Sequence, residues 1–289
     1  MKPDTGDKKR SPSREIWRRF RKSPTAVVGL IIITAFILVA VCAGLIVDEG
    51  LTVKTDGKNR LLPPSGEHFF GTDHMGRDLF ARVLHGSRVS LSMGLVVVGI
   101  AVTAGSILGA AAGYYGGLFD SVLMRFLDVL TCVPSMLLIL VIVSTLGAGL
   151  LNLLIALCIG SVPGICRMVR SQVISLSDME YIQAARAFGG SDLNIIIKHV
   201  LPNAMGLIII TATGMVAGTI LMAAGMSFLG FGVQPPAPEW GSILNDARPY
   251  LREAPHMMVI PGVAMVISAL SINLVGDGLR DALDPRLKD

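Results

Sequence analysis

The sequence predicts an all-α membrane protein, a bundle of six transmembrane helices with both termini cytoplasmic. Three observations carry this. Of the 289 residues, 52% are hydrophobic and only 16% charged, where soluble domains average about 25% charged. The mean hydropathy is +0.64. The apolar residues form runs long enough to cross a hydrocarbon core of ~30 Å, which takes about 20 helical residues, and the basic residues between the runs are distributed by side.

The six runs are Ala26–Val47, Leu91–Ala112, Leu127–Leu146, Leu150–Cys166, Ala204–Ala224 and Met257–Val275. Each is expected to be helical, because a lone strand would leave its backbone polar groups unpaired in lipid. The first run follows a charged leader too long for a secretory signal, exceeds the usual core of about 7–15 residues and has no clear cleavage site after it, so it reads as a retained span. The third is the least regular, since Asp128 and Pro134 sit near its start. Asp128 is spaced to pair with Arg125 one turn earlier. Pro134 and Pro163 each remove a backbone hydrogen bond and can bend their helices.

Charge sets the direction. The leader holds Lys2, Lys8, Lys9, Arg10, Arg14, Arg18, Arg19, Arg21 and Lys22. With that tail inside, Arg125, Arg167, Arg170, Arg186, Lys198, Arg280, Arg286 and Lys288 are inside too, so 17 of the 25 basic residues share one side, as the positive-inside rule requires. The expected organisation is a polar, mobile cytoplasmic tail (1–25), a first helix (26–47), an extracytoplasmic segment (48–90), a five-helix core (91–275) with a cytoplasmic loop at 170–203, and a cytoplasmic tail (276–289). The net charge of +4 is placed by topology rather than on one basic face, which argues against nucleic acid.

Small residues mark candidate packing faces. Gly105, Gly109 and Gly113 recur every fourth position in the second span, and Gly214 and Gly218 do so in the fifth. Such stripes let helices approach closely. They serve either fixed packing within one subunit or a helix that slides during transport.

Several chemistries find no residues. Phosphate-loop, H-E-x-x-H and G-x-S-x-G motifs do not occur, so no ATP hydrolysis by this chain is expected and no bound cofactor. Cys42, Cys132, Cys158 and Cys166 show no CxxC spacing. Asp73 and His74 are too few for a metal site. No carboxylate or histidine lies near a span centre, so coupling to an ion gradient is not indicated and energy must come from elsewhere.

The informative segment is Glu180–Pro202. A helix is plausible to Phe188; Gly189 and Gly190 break it, since glycine takes left-handed angles readily. Ser191 can cap a second helix with Asp192 at its positive end, and Pro202 marks the return to the membrane. The result is a helix-turn-helix too polar to span.

Gln183-Ala184-Ala185, Gly189 and Leu201-Pro202 closely resemble the cytoplasmic "EAA" loop of ABC-importer permeases. Gly71-Thr-Asp-His-Met-Gly-Arg-Asp78, with Arg82 and Gly86-Ser-Arg88, looks like the outer segment of dipeptide and oligopeptide permeases. Phe228–Gly241 and Gly276–Pro285 are similar to the same family's last outer loop and tail. The resemblance covers the chain from about Trp17 and points to the "C" type subunit. It implies the type I importer permease fold and a coupling helix that docks in a cleft of an ATPase, with Glu180, Gln183, Ala184, Ala185, Arg186, Gly189, Leu201 and Pro202 as the coupling residues. It also implies a second related permease, two ATP-binding subunits that use ATP and Mg, and an extracytoplasmic solute-binding protein. The expected cargo is a di- or oligopeptide, with nickel, glutathione or opine uptake as alternatives within the family. A membrane-embedded enzyme is the alternative from another class, and it would need paired polar residues inside the bundle. One position departs from the pattern: Gln183 stands at the usual glutamate and cannot form an ion pair. Glu180, one turn earlier on the same face, either supplies that charge or is a solvated surface acid.

Overall fold

The computed structural model describes residues 12–283. The basic residues Lys2, Lys8, Lys9, Arg10, Arg286 and Lys288, and Asp284 and Pro285 of the C-terminal motif, lie outside them. The chain is helical throughout, with short 3₁₀ turns and no strand among the described residues. Its helices are α1 (Pro12–Phe20), α2 (Pro24–Ile46), α3 (Leu79–Tyr115), α4 (Gly117–Cys132), α5 (Ser135–Leu146), α6 (Leu150–Ser177), α7 (Glu180–Ala187), α8 (Asp192–Ile195), α9 (Leu201–Phe228), α10 (Trp240–Ala247) and α11 (His256–Leu283). Helices α2, α3, α6, α9 and α11 are each long and apolar enough to cross a membrane, and α4 with α5 makes a sixth, broken candidate.

The expected spans lie within these helices, with one correction. The third run is not a single helix: α4 and α5 meet at 88°. Pro134 explains the break, since its ring drives Val133 into an extended conformation (φ −90°, ψ 129°). Helix α5 alone, at ~18 Å, is too short to cross. Asp128 does not pair with Arg125; it accepts from Arg167 of α6 at 3.1 Å, and Asp120 takes Arg170 in a bidentate pair at 2.5 Å. These two pairs fasten α4 along the end of α6. The leader also departs from expectation, because Pro12–Phe20 is helical and packs on α11. Helix α3 begins three turns before the expected span, and α11 continues to Leu283.

The central seam joins α3 to α6. A Cβ added at Gly105 would stand 2.7 Å from Ile165, one at Gly113 would stand 2.7 Å from the Arg170 carbonyl, and one at Gly109 would collide with the Cys166 carbonyl. These three glycines let the two backbones touch. The other stripe behaves differently. Gly214 and Gly218 have no atom among the described residues within 4 Å of a would-be Cβ, although the Gly214 backbone passes close to Gly276 of α11. Gly218 instead lines an open groove between α5, α6 and α9, of about 400 Å³, with Gly160, Ser161, Gly164, Thr219 and Met222.

At one end of the bundle, Val47–Asp78 and Leu229–Pro255 fold together over the start of α3. Asp73, fully buried, accepts from Met75 and Arg77 backbone N–H groups at 2.8 and 2.9 Å, from Arg77 Nε at 2.6 Å, and from Arg82. Both arginines also reach Asp246 at the end of α10, at 3.1 and 3.2 Å. Burial pushes the Asp73 carboxyl up, but Arg82, Arg77 and the two backbone donors outweigh it and hold it below the usual carboxylate range. Gly76 is left-handed (φ +77°), and any side chain there would strike the Asp56 carbonyl. Glu239, also fully buried, caps α10 through Gly241 and Ser242 N–H groups at 2.8 and 2.9 Å and takes the Ser90 hydroxyl at 3.0 Å. Arg88 donates to the Ala40 and Val41 carbonyls of α2. The motif residues between Gly71 and Arg88 thus close this end of the bundle.

Two outcomes follow from these contacts. Gly109→Leu forces α3 from α6 and should cost at least about 1–3 kcal/mol, seen as a lower Tm or loss of folded chain in detergent; Gly218→Leu, which meets open space, should keep the wild-type Tm of the isolated chain. Asp73→Asn should cost on the order of 3 kcal/mol by leaving two buried arginines short of a partner. Because the folded Asp73 carboxyl titrates below the unfolded one, its contribution is full above the ordinary carboxylate range and is lost as pH falls through the depressed folded value. Thermal unfolding against pH should therefore show a flatter acid limb for Asp73→Asn.

Candidate coupling site

At the other end of the bundle, α6 runs into α7 through Asp178 and Met179. Helix α7 ends in a left-handed turn built by Gly189 (φ +79°). The Gly189 N–H donates to the Arg186 carbonyl at 2.9 Å and the Gly190 N–H to the Ala185 carbonyl at 3.0 Å, the paired bonds of a Schellman cap. Gly190 is fixed as well, since a Cβ there would lie 2.9 Å from the Ala185 carbonyl. Ser191 occupies the next N-cap position, but its side chain makes no capping bond; its carbonyl accepts from Ile195.

The second helix is not a separate unit. Helix α8 widens into a π-turn over Ile196–Val200 and continues as α9, with the Leu201 N–H bonded to the Ile196 carbonyl. Pro202 explains the widening, because it has no N–H and its ring crowds the carbonyl four residues back. The hairpin α7–α8 is therefore welded to α6 on one side and α9 on the other.

Packing makes it one body with the bundle. Ile182, Ile195 and Val200 are buried and share a cluster with Val169, Val173 and Ile208 of the spans. Polar contacts add a second attachment. Tyr114, at the end of α3, donates its hydroxyl to Asp192 at 2.9 Å and accepts from Arg186 Nε at 3.1 Å, while the Arg186 guanidinium lies 4.5 Å from its ring centroid. Asn203 of α9 donates to the Tyr181 hydroxyl at 3.3 Å.

The expected coupling residues divide into two sets. Arg186, Gly189 and Leu201 serve the hairpin's own architecture, Arg186 through Tyr114. Glu180, Gln183 and Ala184 are exposed on α7, and Ala185 is half-buried. Glu180 forms no ion pair among the described residues. Gln183 turns back and donates to the Asp178 carbonyl at 3.2 Å. Pro202 is exposed in the first turn of α9. Two residues escaped the sequence reading. Tyr114 lies 66 positions before the hairpin, and nothing local marks it. Phe188, 90% exposed at the hairpin tip, is an apolar side chain on a unit whose inner face is already filled.

These features define a class: a multi-pass membrane helix bundle whose spans are tied rigidly to a solvent-facing helical hairpin. Comparison with known proteins makes the class specific. Residues 105–289 match the binding-protein-dependent transport system inner membrane component family, and residues 11–64 match the N-terminal transmembrane domain of oligopeptide transport permease C. The chain belongs to this family and is an inner-membrane permease component of a binding-protein-dependent ABC importer. It is 46% identical to the dipeptide transport system permease protein DppC of Alkalihalophilus pseudofirmus over 278 residues, 96% of this chain and 91% of that protein. It is 42% identical to the glutathione transport system permease protein GsiD of Escherichia coli over 282 residues, 98% and 93% of the two chains. A chain of the MetNI methionine ABC transporter in an inward-facing conformation superposes with a TM-score of 0.58 at 21% identity, covering 71% of this chain and 98% of that one; this likeness bears on the fold.

Tyr114→Phe removes both hydroxyl bonds but keeps the ring under Arg186. It should loosen the hairpin by about 1–2 kcal/mol, read as faster amide hydrogen exchange over 180–195, while the outer segment 56–78 exchanges as in the wild type.

Proposed function

We propose that this chain forms half of a solute path, that its hairpin is the docking element for an ATP-hydrolysing partner, and that the cargo is a short peptide. The carrying observation is the hairpin itself. It is capped at the end of α7 by the Gly189–Gly190 turn, packed into the bundle on its inner face, and presents Glu180, Gln183, Ala184 and Phe188 outward. Short side chains at Ala184 and Ala185 admit close approach by a partner, and Phe188 offers an anchor of the kind that dominates interface energetics. ATP and Mg belong to that partner.

The basic side carries the hairpin, so this end and both termini are assigned to the cytoplasm, and the Asp73–Arg77–Arg82 end to the outer side, where a solute-binding protein delivers cargo. The groove at Gly160, Gly164 and Gly218 stands open in the single chain and is assigned to the meeting face with a second permease. The cargo reading rests on the relatives: a dipeptide permease and a glutathione permease both align over nearly the whole chain. Glutathione, itself a small peptide, is the second reading.

Docking by the hairpin gives a direct test. In the assembled transporter, Gly189→Val strains the left-handed turn by ~1 kcal/mol or more and Ala185→Asp places a charge against the partner. Both should leave the chain in the membrane while cutting peptide uptake at least about tenfold, equivalent to ~1.4 kcal/mol, with ATPase activity uncoupled from uptake or the ATPase lost on co-purification. Glu180→Ala should have a milder effect, deepened when Gln183→Ala is added. Wild-type uptake and stoichiometric ATPase in both Gly189→Val and Ala185→Asp would reduce the hairpin to a linker.

A further inference from the structure

The N-terminal helix is too short and too polar to span, yet it is held firmly. Phe20 is buried against Ala26 and Ala282, with Ile16, Leu30, Val275 and Leu279 around it. Gly278 of α11 makes this possible: a Cβ there would collide with Ala26 and come within 3.1 Å of the Phe20 ring. Three residues, Arg21–Ser23, separate α1 from α2, and Ser23 and Pro24 start α2. Helix α2 has 23 residues, ~35 Å long against a hydrocarbon core of ~30 Å. Helix α1 adjoins the start of this span across those three residues, so it lies by the end at which α2 enters the bilayer.

The face that α1 turns outward has a defined chemistry. Arg14, Trp17, Arg18 and Arg21 are exposed and, with Glu15, line one hollow. Glu15 is occupied by Arg19 at 2.9 Å. Among the described residues no carboxylate lies within salt-bridge distance of Arg14, Arg18, Arg21 or Lys22, although Asp277 and Asp281 are exposed on α11 nearby. Trp17 is 51% exposed and stacks on Phe20 at 5.8 Å. Arginine forks match phosphate oxygens bidentately, and tryptophan favours the membrane–water boundary. The spacing of Arg14, Arg18 and Arg21 puts the three guanidiniums on one helical face around Trp17.

We infer that α1 is a binding surface for anionic phospholipid, with Arg14, Arg18 and Arg21 holding headgroup phosphates and Trp17 seated between the lipid glycerols. The site clamps the α2–α11 corner to the bilayer surface and depends on lipid composition, not on the coupling hairpin.

The chain's two tryptophans make the surface measurable, because Trp240 is fully buried. Purified full-length chain would be examined by native mass spectrometry with phosphatidylglycerol, with phosphatidylcholine and with inorganic phosphate. Preferential retention of phosphatidylglycerol is expected, falling about tenfold or more in Arg14→Gln/Arg18→Gln/Arg21→Gln, as the loss of three basic residues from an anionic surface implies. The triple variant Lys54→Gln/Lys58→Gln/Arg252→Gln, which removes the same charge from exposed positions at the opposite end, should bind as the wild type does. Equal loss in both triples, or equal retention of phosphatidylcholine, would overturn the inference; displacement of the lipid by inorganic phosphate would also overturn it, leaving a simple anion site. If the triple variant fails to fold, the wild-type chain in nanodiscs suffices. Its Trp17 emission, corrected with Trp17→Phe, should be quenched more by brominated phosphatidylglycerol than by brominated phosphatidylcholine, and equal quenching would count against the site.

Discussion

Backbone contact between α3 and α6 is the constraint on which the remaining structure depends. Lipid offers no hydrophobic drive to bring two apolar helices together, so association rests on close packing. Gly105, Gly109 and Gly113 supply it by removing the Cβ at three successive turns of α3. Each seam helix then carries a further element. The start of α3 bears the Asp73 cluster, its end bears Tyr114, and the end of α6 becomes α7. Motion of either helix must therefore move the loop end, the hairpin, or both.

The two ends satisfy their polar groups in opposite ways. At the loop end, four charged side chains from distant positions in sequence close on one another, and Asp73, Arg77 and Arg82 are almost without solvent. Such a cluster is costly to desolvate and strongly destabilising when one partner is removed, which favours a single closed arrangement. At the hairpin end the bonds are few and exposed, around Tyr114, Gln183 and Asn203. Rigidity there comes from apolar packing of Ile182 and Ile195 beneath, leaving the outer face free.

Much of this was legible in the sequence because the physics is local. Apolar run length fixes where a helix must cross, and the Gly189-Gly190 pair announces a left-handed cap. The misreadings have a common origin in tertiary contact. Pro134 was visible as a possible bend, but only Val133's extended backbone turns it into an 88° break. Asp128 found Arg167 rather than Arg125, because a partner across the seam outcompetes one on the same helix. Gly214 and Gly218 carry the same spacing as Gly105 and Gly109 and yet face open space, since spacing records a flat surface and not what lies against it. Tyr114 is silent in sequence for the same reason. The comparisons settle the family, whereas the roles of individual coupling residues rest on the geometry described above.

The broken third span gives the seam a mechanical consequence. Arg167 and Arg170 hold α4 along the end of α6 through Asp128 and Asp120, while α5 departs from it at nearly a right angle and lines the groove with α6 and α9. The same two helices, α6 and α9, continue into the hairpin at their far ends. The hairpin is thus joined to both walls of the groove by short connections: α6 reaches α7 over Asp178 and the extended Met179, and the π-turn at Ile196–Val200 keeps α8 and α9 hydrogen-bonded in one rod. The third wall, α5, is tied to α6 twice, through α4 and by direct packing of Ile139 and Val143 beside Leu153, Ala156 and Leu157. A rotation of α6 would carry α4 with it by the two arginine pairs and α5 with it by that packing. The width of the groove therefore depends on how α9 lies against the α5–α6 pair, since the glycine stripe of α3 holds α6 at the seam.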